Sequence, residues 1–375
     1  MESDCVFVIA VFMSRKPKHS RPSHSPSLRP RSNSGTGRRP RSATGRRPRL
    51  RAQHRWRRAK LFLVLNLALW GAIGGWFLLQ PAERQQEVKR LVGNAVQGKK
   101  DITAFEVAWD LWQLYYGKDY VAIDGATSGE ARTATTSSDL HYFYGGAPKS
   151  QSAPLRVLEN TGYAVGYSDA RGNPLWAAYR VSDRPVSEAP PRPDKFVVDK
   201  RTAARVTPAA YTGSGYDRGH LAPNYAIALH HGARAQEETF LMSNIIPQRH
   251  GLNAGLWKKL EQKIARNYPG RFGDVWVLAG PIFGAQPQRI GQGIATRANA
   301  PVAVPEACYM ILVDENEGRL RTLAFIFPQQ PRSDNLADYL TTIDEIEART
   351  GLDFFSALPA AAEQALEGSK ASRVW

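Results

Sequence analysis

Between about residues 160 and 350 the hydrophobic pattern resolves into short apolar runs bounded by turn residues. Tyr163–Ser168 and Leu175–Val181 are predicted as two strands joined by the polar turn Asp169-Ala170-Arg171-Gly172-Asn173-Pro174. Val275–Gly280, Ala307–Val313 and Leu320–Phe327 read as further strands. Leu256–Asn267 reads as a helix, and Thr341–Arg349 as a final helix closed by Gly351. Strands interleaved with helices, without a regular βαβ period, indicate an α+β fold. Upstream, Glu83–Gln97 and Ile102–Tyr116 have helical periodicity, the second with Phe105, Trp109, Leu111, Trp112 and Tyr115 on broadly one side. Residues 124–138 are rich in Gly, Thr and Ser and read as a linker.

One segment breaks this pattern. Leu61–Leu79 carries no charge and has Asn66 as its one polar interruption, long enough for a membrane-spanning helix of about 20 residues. Basic residues crowd its N-terminal side, ending in Arg55-Trp56-Arg57-Arg58-Ala59-Lys60. The excess of positive charge on that side predicts a single-pass anchor with the N-terminus cytoplasmic and everything after residue 80 extracytoplasmic, periplasmic or external. A cleaved signal peptide lacks a small-x-small site here. A mitochondrial transit peptide, the alternative address, fits the Arg- and Ser-rich composition but not Pro17, Pro22, Pro26, Pro30, Pro40 and Pro48. The expected organisation is a basic cytoplasmic tail (1–60), an anchor (61–80), a helical stalk and linker (81–138), a catalytic domain (139–358) and a C-terminal tail (359–375). The apolar Val6–Phe12 run is odd for such a tail, and a start at Met13 would remove it.

Charge changes the picture less than its total suggests. The net +16 is concentrated in residues 14–60, which hold 17 Lys and Arg and no acid; with Glu2 and Asp4 ahead of them, 61–375 nets only +1. The globular part therefore has no general basic character, and any nucleic-acid contact must be a local patch. Cys5 and Cys308 are the two cysteines, which excludes a disulfide framework and a Cys-rich zinc site. Cys308 reads as a small buried hydrophobe.

Candidate chemistry gathers in three stretches: Asp217-Arg218-Gly219-His220-Leu221-Ala222-Pro223-Asn224, then Ser243-Asn244-Ile245-Ile246-Pro247-Gln248, then Asn253 to Glu261. A neutral histidine is the natural general base near pH 7, and His220 follows a glycine that lets the chain approach a ligand closely. Asn253 offers a hard carboxamide oxygen of the kind Mg²⁺ accepts; capping the following helix is the other reading. Glu261 lies eight residues on, about 12 Å of rise along a regular helix, which suits contact through a metal-bound water better than a second direct bond. Its other reading is a surface carboxylate paired with Lys258. Arg218 can grip phosphate oxygens in a bidentate way. The set suits metal-assisted hydrolysis of a phosphodiester.

The order and wording of these motifs resemble the DNA/RNA non-specific endonuclease family, over about Asp139 to Phe355. The resemblance implies a ββα-metal (His-Me finger) domain with a central antiparallel sheet, of the endonuclease G or Serratia-type kind. It identifies His220 with the family's base and favours Asn253 as the metal ligand, through the Asn-x-x-x-Trp-x-x-x-Glu pattern. Glu261, by its rise from Asn253, is assigned to the metal through water, and Arg218 and Arg192 stand as the charge-stabilising groups. Arg192 precedes Phe196 as the family's upstream arginine precedes its Phe, with Arg184, Arg201 and Arg205 as alternatives. Asn244 matches the family's Ser-Asn-Ile element, holding either the metal-site backbone or a substrate phosphate, and Asp217 orients its neighbours.

The implied function is a Mg²⁺-dependent endonuclease with little sequence preference, with Mn²⁺ as substitute ion. Its expected partners are DNA and/or RNA through backbone contacts and the membrane through 61–80, with a homodimer left open. The alternatives are a membrane-tethered nucleic-acid capture or uptake protein and a phosphodiesterase on a non-nucleic substrate.

Overall fold

A computed structural model describes residues 49–80 with a few positions up to 93, then 102–116, 120–123, 142–151, 154–183, 188–291, 301–316 and 318–375. The chain divides into two compact units, Met1–Gly93 and Asn94–Trp375. Most of the basic tail, most of Glu83–Gln97 and the 124–138 linker lie outside the described residues.

In the first unit, α1 (Arg49–Leu78) absorbs the uncharged run into a longer helix. Its first twelve residues include six Arg and Lys, and Asn66 interrupts the remainder. Phe62, Leu63, Val64, Leu65 and Leu67 are exposed. Among the described residues no helix is long and apolar enough to cross a membrane. The expected anchor, and the topology drawn from it, are therefore without support.

The second unit is built on antiparallel strands. They are β1 (Val121–Ala122), β2 (Lys149–Ser150), β3 (Arg156–Glu159), β4 (Tyr163–Ser168), β5 (Asn173–Val181), β6 (Asp217–His220), β7 (Ile245–Gln248), β8 (Val275–Ile282), β9 (Arg289–Ile290), β10 (Val302–Ala303), β11 (Ala307–Asn316), β12 (Arg319–Pro328), β13 (Leu340–Thr341) and β14 (Leu352–Asp353). The main sheet runs β1-β12-β11-β8-β5-β4-β3, with β13 also on β12. Alternate residues feed two cores. Ala177, Tyr179, Val277, Ala279, Met310 and Leu312 face one layer; Trp176, Ala178, Trp276, Leu278, Tyr309 and Ile311 face the other. That two-residue period is what a sheet covered on both faces requires.

Among the described residues of this unit, six helices accompany the sheet: α2 (Ala104–Tyr116), α3 (Asn224–Glu238), α4 (Lys258–Arg266), α5 (Tyr268–Phe272), α6 (Ile343–Thr350) and α7 (Ala360–Glu367). The first layer receives Ile227 of α3, Leu260 and Ile264 of α4, and Ile245 and Ile246 of β7. The second receives Ile343 and Ile346 of α6 and Leu366 of α7. Helix α6 stops where Gly351 takes the left-handed conformation (φ 68°) and donates its N–H to the Glu347 carbonyl.

Two stretches are built differently from the sequence expectation. Helix α2, assigned to the stalk, belongs to the folded unit. It opens with a capping box in which Thr103 and Glu106 exchange hydrogen bonds. It buries Val107, Asp110 and Gln113 and leaves Phe105 exposed. Asp110 receives two hydrogen bonds from the fully buried Arg271, and β1 then adds an edge strand to β12. At the other end, 359–375 is no plain tail. Pro359 precedes α7, whose Ala362 and Leu366 are buried, and Trp375 packs against Tyr268 and Phe272.

Candidate active site

Strands β6 and β7 pair antiparallel, with Asp217 opposite Gln248 and His220 opposite Ile245. Gly219 is required there because a Cβ would collide with the buried Gln248 side chain. The backbone just beyond His220 is clamped from two directions. Asn244, fully buried, accepts the Ala222 N–H on Oδ1 at 2.9 Å and donates Nδ2 to the carbonyls of Ala222 (2.9 Å) and Thr239 (3.0 Å). Trp257 donates Nε1 to the His220 carbonyl at 3.2 Å.

The His220 ring lies between Phe196 (centroids 5.4 Å apart) and Phe240 (5.1 Å). Its Nε2 is buried without a hydrogen-bond partner among the described residues. Burial, and then the charge of Arg192, lower the imidazole to a pKa of about 3, so it is neutral at physiological pH. The same two rings carry the arginines. Arg192 lies over Phe240 at 5.2 Å and Arg218 over Phe196 at 5.5 Å. Arg218 is anchored by Nη2 and Nε to the Pro208 carbonyl (2.8 and 3.3 Å). Among the alternatives to Arg192, Arg201 is bound to Asp199, Glu159 and Asn160, and Arg205 to the Thr202 carbonyl. Arg184 lies outside the described residues.

Asn253 sits inside a π-helical turn, Leu252–Trp257, that leads into α4, and it caps neither. Gly255 breaks the turn (φ −99°, ψ −112°), so the rise of a regular helix does not measure the distance from Asn253 to Glu261. Asp217 Oδ2 accepts hydrogen bonds from Asn253 Nδ2 and from His250 Nδ1, each 2.9 Å long. The Asn253 carboxamide is thereby held by its nitrogen, and its oxygen has no protein partner among the described residues. Glu261 lies in the first turn of α4. Burial raises its carboxyl to about 8, against the hydrogen bond from Trp257 and the charges of Arg192 and Lys258.

The structure thus brings His220, Arg192 and Glu261 together and ties Asn253 to Asp217 on the strand that carries His220. Asn244 stands behind the site, with its polar atoms already bound to backbone, so no atom of it is free for a phosphate. Phe240 and His250 carried no sequence signal for a place here, and Phe196 entered only as the Phe that follows Arg192. Phe240 sits outside the motifs, and His250 owes its position to Asp217 across the fold. Trp257 is fully buried and cannot stack on a base. Cys308 is likewise fully buried, beneath Gln248.

Comparison with known proteins identifies the family of the chain. Residues 144–361 match the model of the DNA/RNA non-specific endonuclease family. Nuclease EXOG, mitochondrial, of Danio rerio is 32% identical over 244 residues, covering 61% of this chain and 69% of that protein. A Nuclease of Nostoc sp. is 28% identical over 228 residues, covering 56% and 77%. A chain in the crystal structure of an EndoG/EndoGI complex aligns with a TM-score of 0.49 and 22% identity, over 63% of this chain and 94% of that one. With more than half of its length matched by the family model, this chain belongs to the DNA/RNA non-specific endonuclease family.

Proposed function

We propose that the protein is a metal-dependent endonuclease that hydrolyses phosphodiester bonds of DNA and/or RNA with little sequence preference. The observation that carries the reading is the shared carboxylate of Asp217. By taking the Asn253 nitrogen, it leaves the carboxamide oxygen turned free, a hard donor next to a strand that presents a neutral histidine. That donor set fits a divalent ion of the Mg²⁺ kind, with Mn²⁺ as substitute. Asn253 would hold the ion directly and Glu261 through water. When bound, the ion supplies positive charge against the phosphate oxygens.

The remaining work falls to the chain's own residues. The unpartnered Nε2 of His220 accepts the proton of the attacking water. Arg192 and Arg218 neutralise charge that grows on the phosphate oxygens. An anionic phosphate beside Arg192 also offsets the charge that depresses His220, so the imidazole becomes a better base once substrate is bound. Asn244 and Trp257 fix the backbone that follows that base. Contacts of this kind address the sugar-phosphate backbone, which carries no sequence information.

The test is digestion of supercoiled plasmid and of RNA by the purified chain, with and without EDTA. Cleavage that EDTA abolishes is the expected result. Binding without cleavage would favour a capture protein. Inert nucleic acid alongside hydrolysis of a small phosphodiester would move the substrate elsewhere.

A further inference from the structure

A second cluster of acidic side chains lies away from the nuclease centre, on the opposite face of the main sheet. Helices α6 and α7 pack there through Ile343, Ile346 and Leu366. They bring Asp344, Glu347 and Glu367 together, with one carboxylate oxygen from each within 4.8 Å of the others. Asp344 is exposed, Glu347 half-buried, and Glu367 only 8% exposed. Glu347 Oε1 already accepts the Phe354 N–H at 2.7 Å. Glu367 is the unusual member, because its buried Oε1 has no hydrogen-bond partner among the described residues.

Such an atom is costly. A buried carboxylate without a donor or counter-charge loses its hydration and receives nothing in return. The neighbourhood makes matters worse, since the charges that weigh on Glu367 are those of Glu347, Glu363, Asp344 and Asp353. Lys149, opposite Asp353 across the β2–β14 pair, is the cation that offsets Glu363. Arg349, on the same helix as Glu347, is turned to Glu306 at 2.6 Å. The cluster therefore has a deficit of positive charge that its own side chains do not fill.

We propose that Asp344, Glu347 and Glu367 bind a divalent cation of the hard, oxygen-preferring class, Ca²⁺ before Mg²⁺, at a site separate from the nuclease centre. Three carboxylates without sulfur or imidazole select this class over zinc. The ligand count favours the larger ion, because Mg²⁺ is usually held by one or two carboxylates and keeps several waters, whereas Ca²⁺ accepts about six to eight oxygens in a flexible geometry. The ion would tie α7 to α6 and so brace the C-terminal segment that ends in the buried Trp375.

The experiment is equilibrium dialysis of the chelator-stripped full chain against CaCl₂, with melting temperatures recorded in parallel. It is repeated on Asp344→Asn, Glu347→Gln and Glu367→Gln. The wild type should bind one more Ca²⁺ per chain than each variant. At a hundredfold excess over Kd its melting temperature should rise by about 5 °C, a gain that the variants lose. Plasmid cleavage in magnesium should stay within about twofold of wild type in all three variants, because none of them touches the His220 site. If Glu367→Gln fails to fold, the exposed Asp344→Asn carries the test alone. Equal Ca²⁺ stoichiometry in wild type and variants overturns the proposal. So does a wild type whose stability follows pH and ignores CaCl₂, since protons would then be the missing counter-charge.

Discussion

Asp110→Ala asks whether α2 is part of the nuclease fold, and the structure sets the size of the answer. Arg271 has no exposed side-chain surface, and the Asp110 side chain is 4% exposed. Two charge-assisted hydrogen bonds of 2.7 and 2.8 Å join them. Removing one partner of such a pair leaves a guanidinium buried, and that typically costs about 3–5 kcal/mol. Asn267 Oδ1 at 2.9 Å and Glu106 at 3.5 Å remain as partial partners, which argues for the lower end. For a unit of about 280 residues, an unfolding entropy of about 2.1 cal/mol/K per residue converts this loss to a fall in Tm of about 5–8 °C.

The assay is thermal and urea denaturation of the full chain followed by circular dichroism. Asp110→Asn, which keeps one acceptor oxygen, should lose about half as much. A double replacement of Asp110 and Arg271 by Leu and Met should recover part of the stability, because a buried pair can be exchanged for apolar packing at little cost. A chain shortened to begin at Asp139 should be far less stable than one beginning at Asn94, having lost both α2 and the β1 edge. A loss below about 1 kcal/mol in Asp110→Ala would refute the reasoning, since Arg271 would then have solvent or another partner.

Three further outcomes follow from the site and its surroundings. His220→Ala should lower the cleavage rate by roughly 10²–10⁴-fold with folding intact, as loss of a general base does; activity within a few-fold of wild type removes His220 from the mechanism. Asn253→Ala should raise the Mg²⁺ concentration needed for half-maximal cleavage more than Glu261→Ala does, because a direct ligand is lost rather than a water contact; the reverse order in magnesium titrations would exchange their roles. His230 is held neutral, with Nδ1 facing the Ser182 N–H (3.4 Å) and Nε2 facing the Ala265 carbonyl (3.2 Å), and burial lowers it to about 4. An unfolded imidazole takes its proton below about 6.5, so stability should be complete above that pH and fall as the pH drops from 6.5 towards 4. His230 would contribute about 3 kcal/mol to that fall. A His230→Gln chain with an unchanged stability-versus-pH slope would contradict this.

The strands of the main sheet were legible because their apolar runs are long and bounded by turns. Tyr163–Ser168 begins and ends where expected, and β5, β8, β11 and β12 extend their predicted cores by one to three residues at an end. The strand bearing His220 was not legible. It is four residues long, carries Asp, Arg and His, and finds its partner only after the intervening α3. Helix α3 hid behind an Ala- and His-rich composition and a kink at Gly232 (φ 87°, ψ −176°). The π-helical turn at Asn253 follows neither the 3.6 nor the two-residue period, so no pattern search could place it. The buried Arg271–Asp110 pair joins positions 161 apart and leaves no local trace.

The two carboxamides show most clearly what the sequence could and could not give. Asn244 and Asn253 were both candidates to touch metal or phosphate, and residue type alone does not rank them. What separates them is hydrogen-bonding capacity left over after folding. Asn244 uses its oxygen once and its nitrogen twice on backbone groups of Ala222 and Thr239, at zero exposure. Asn253 uses only its nitrogen, and uses it on a carboxylate that fixes which way its oxygen points. A ligand to a hard cation must present an uncommitted oxygen, so the folded chain leaves that part open to Asn253 and closes it to Asn244. The same accounting sets His220, with an unpartnered Nε2, apart from His230, whose two ring nitrogens both face backbone groups.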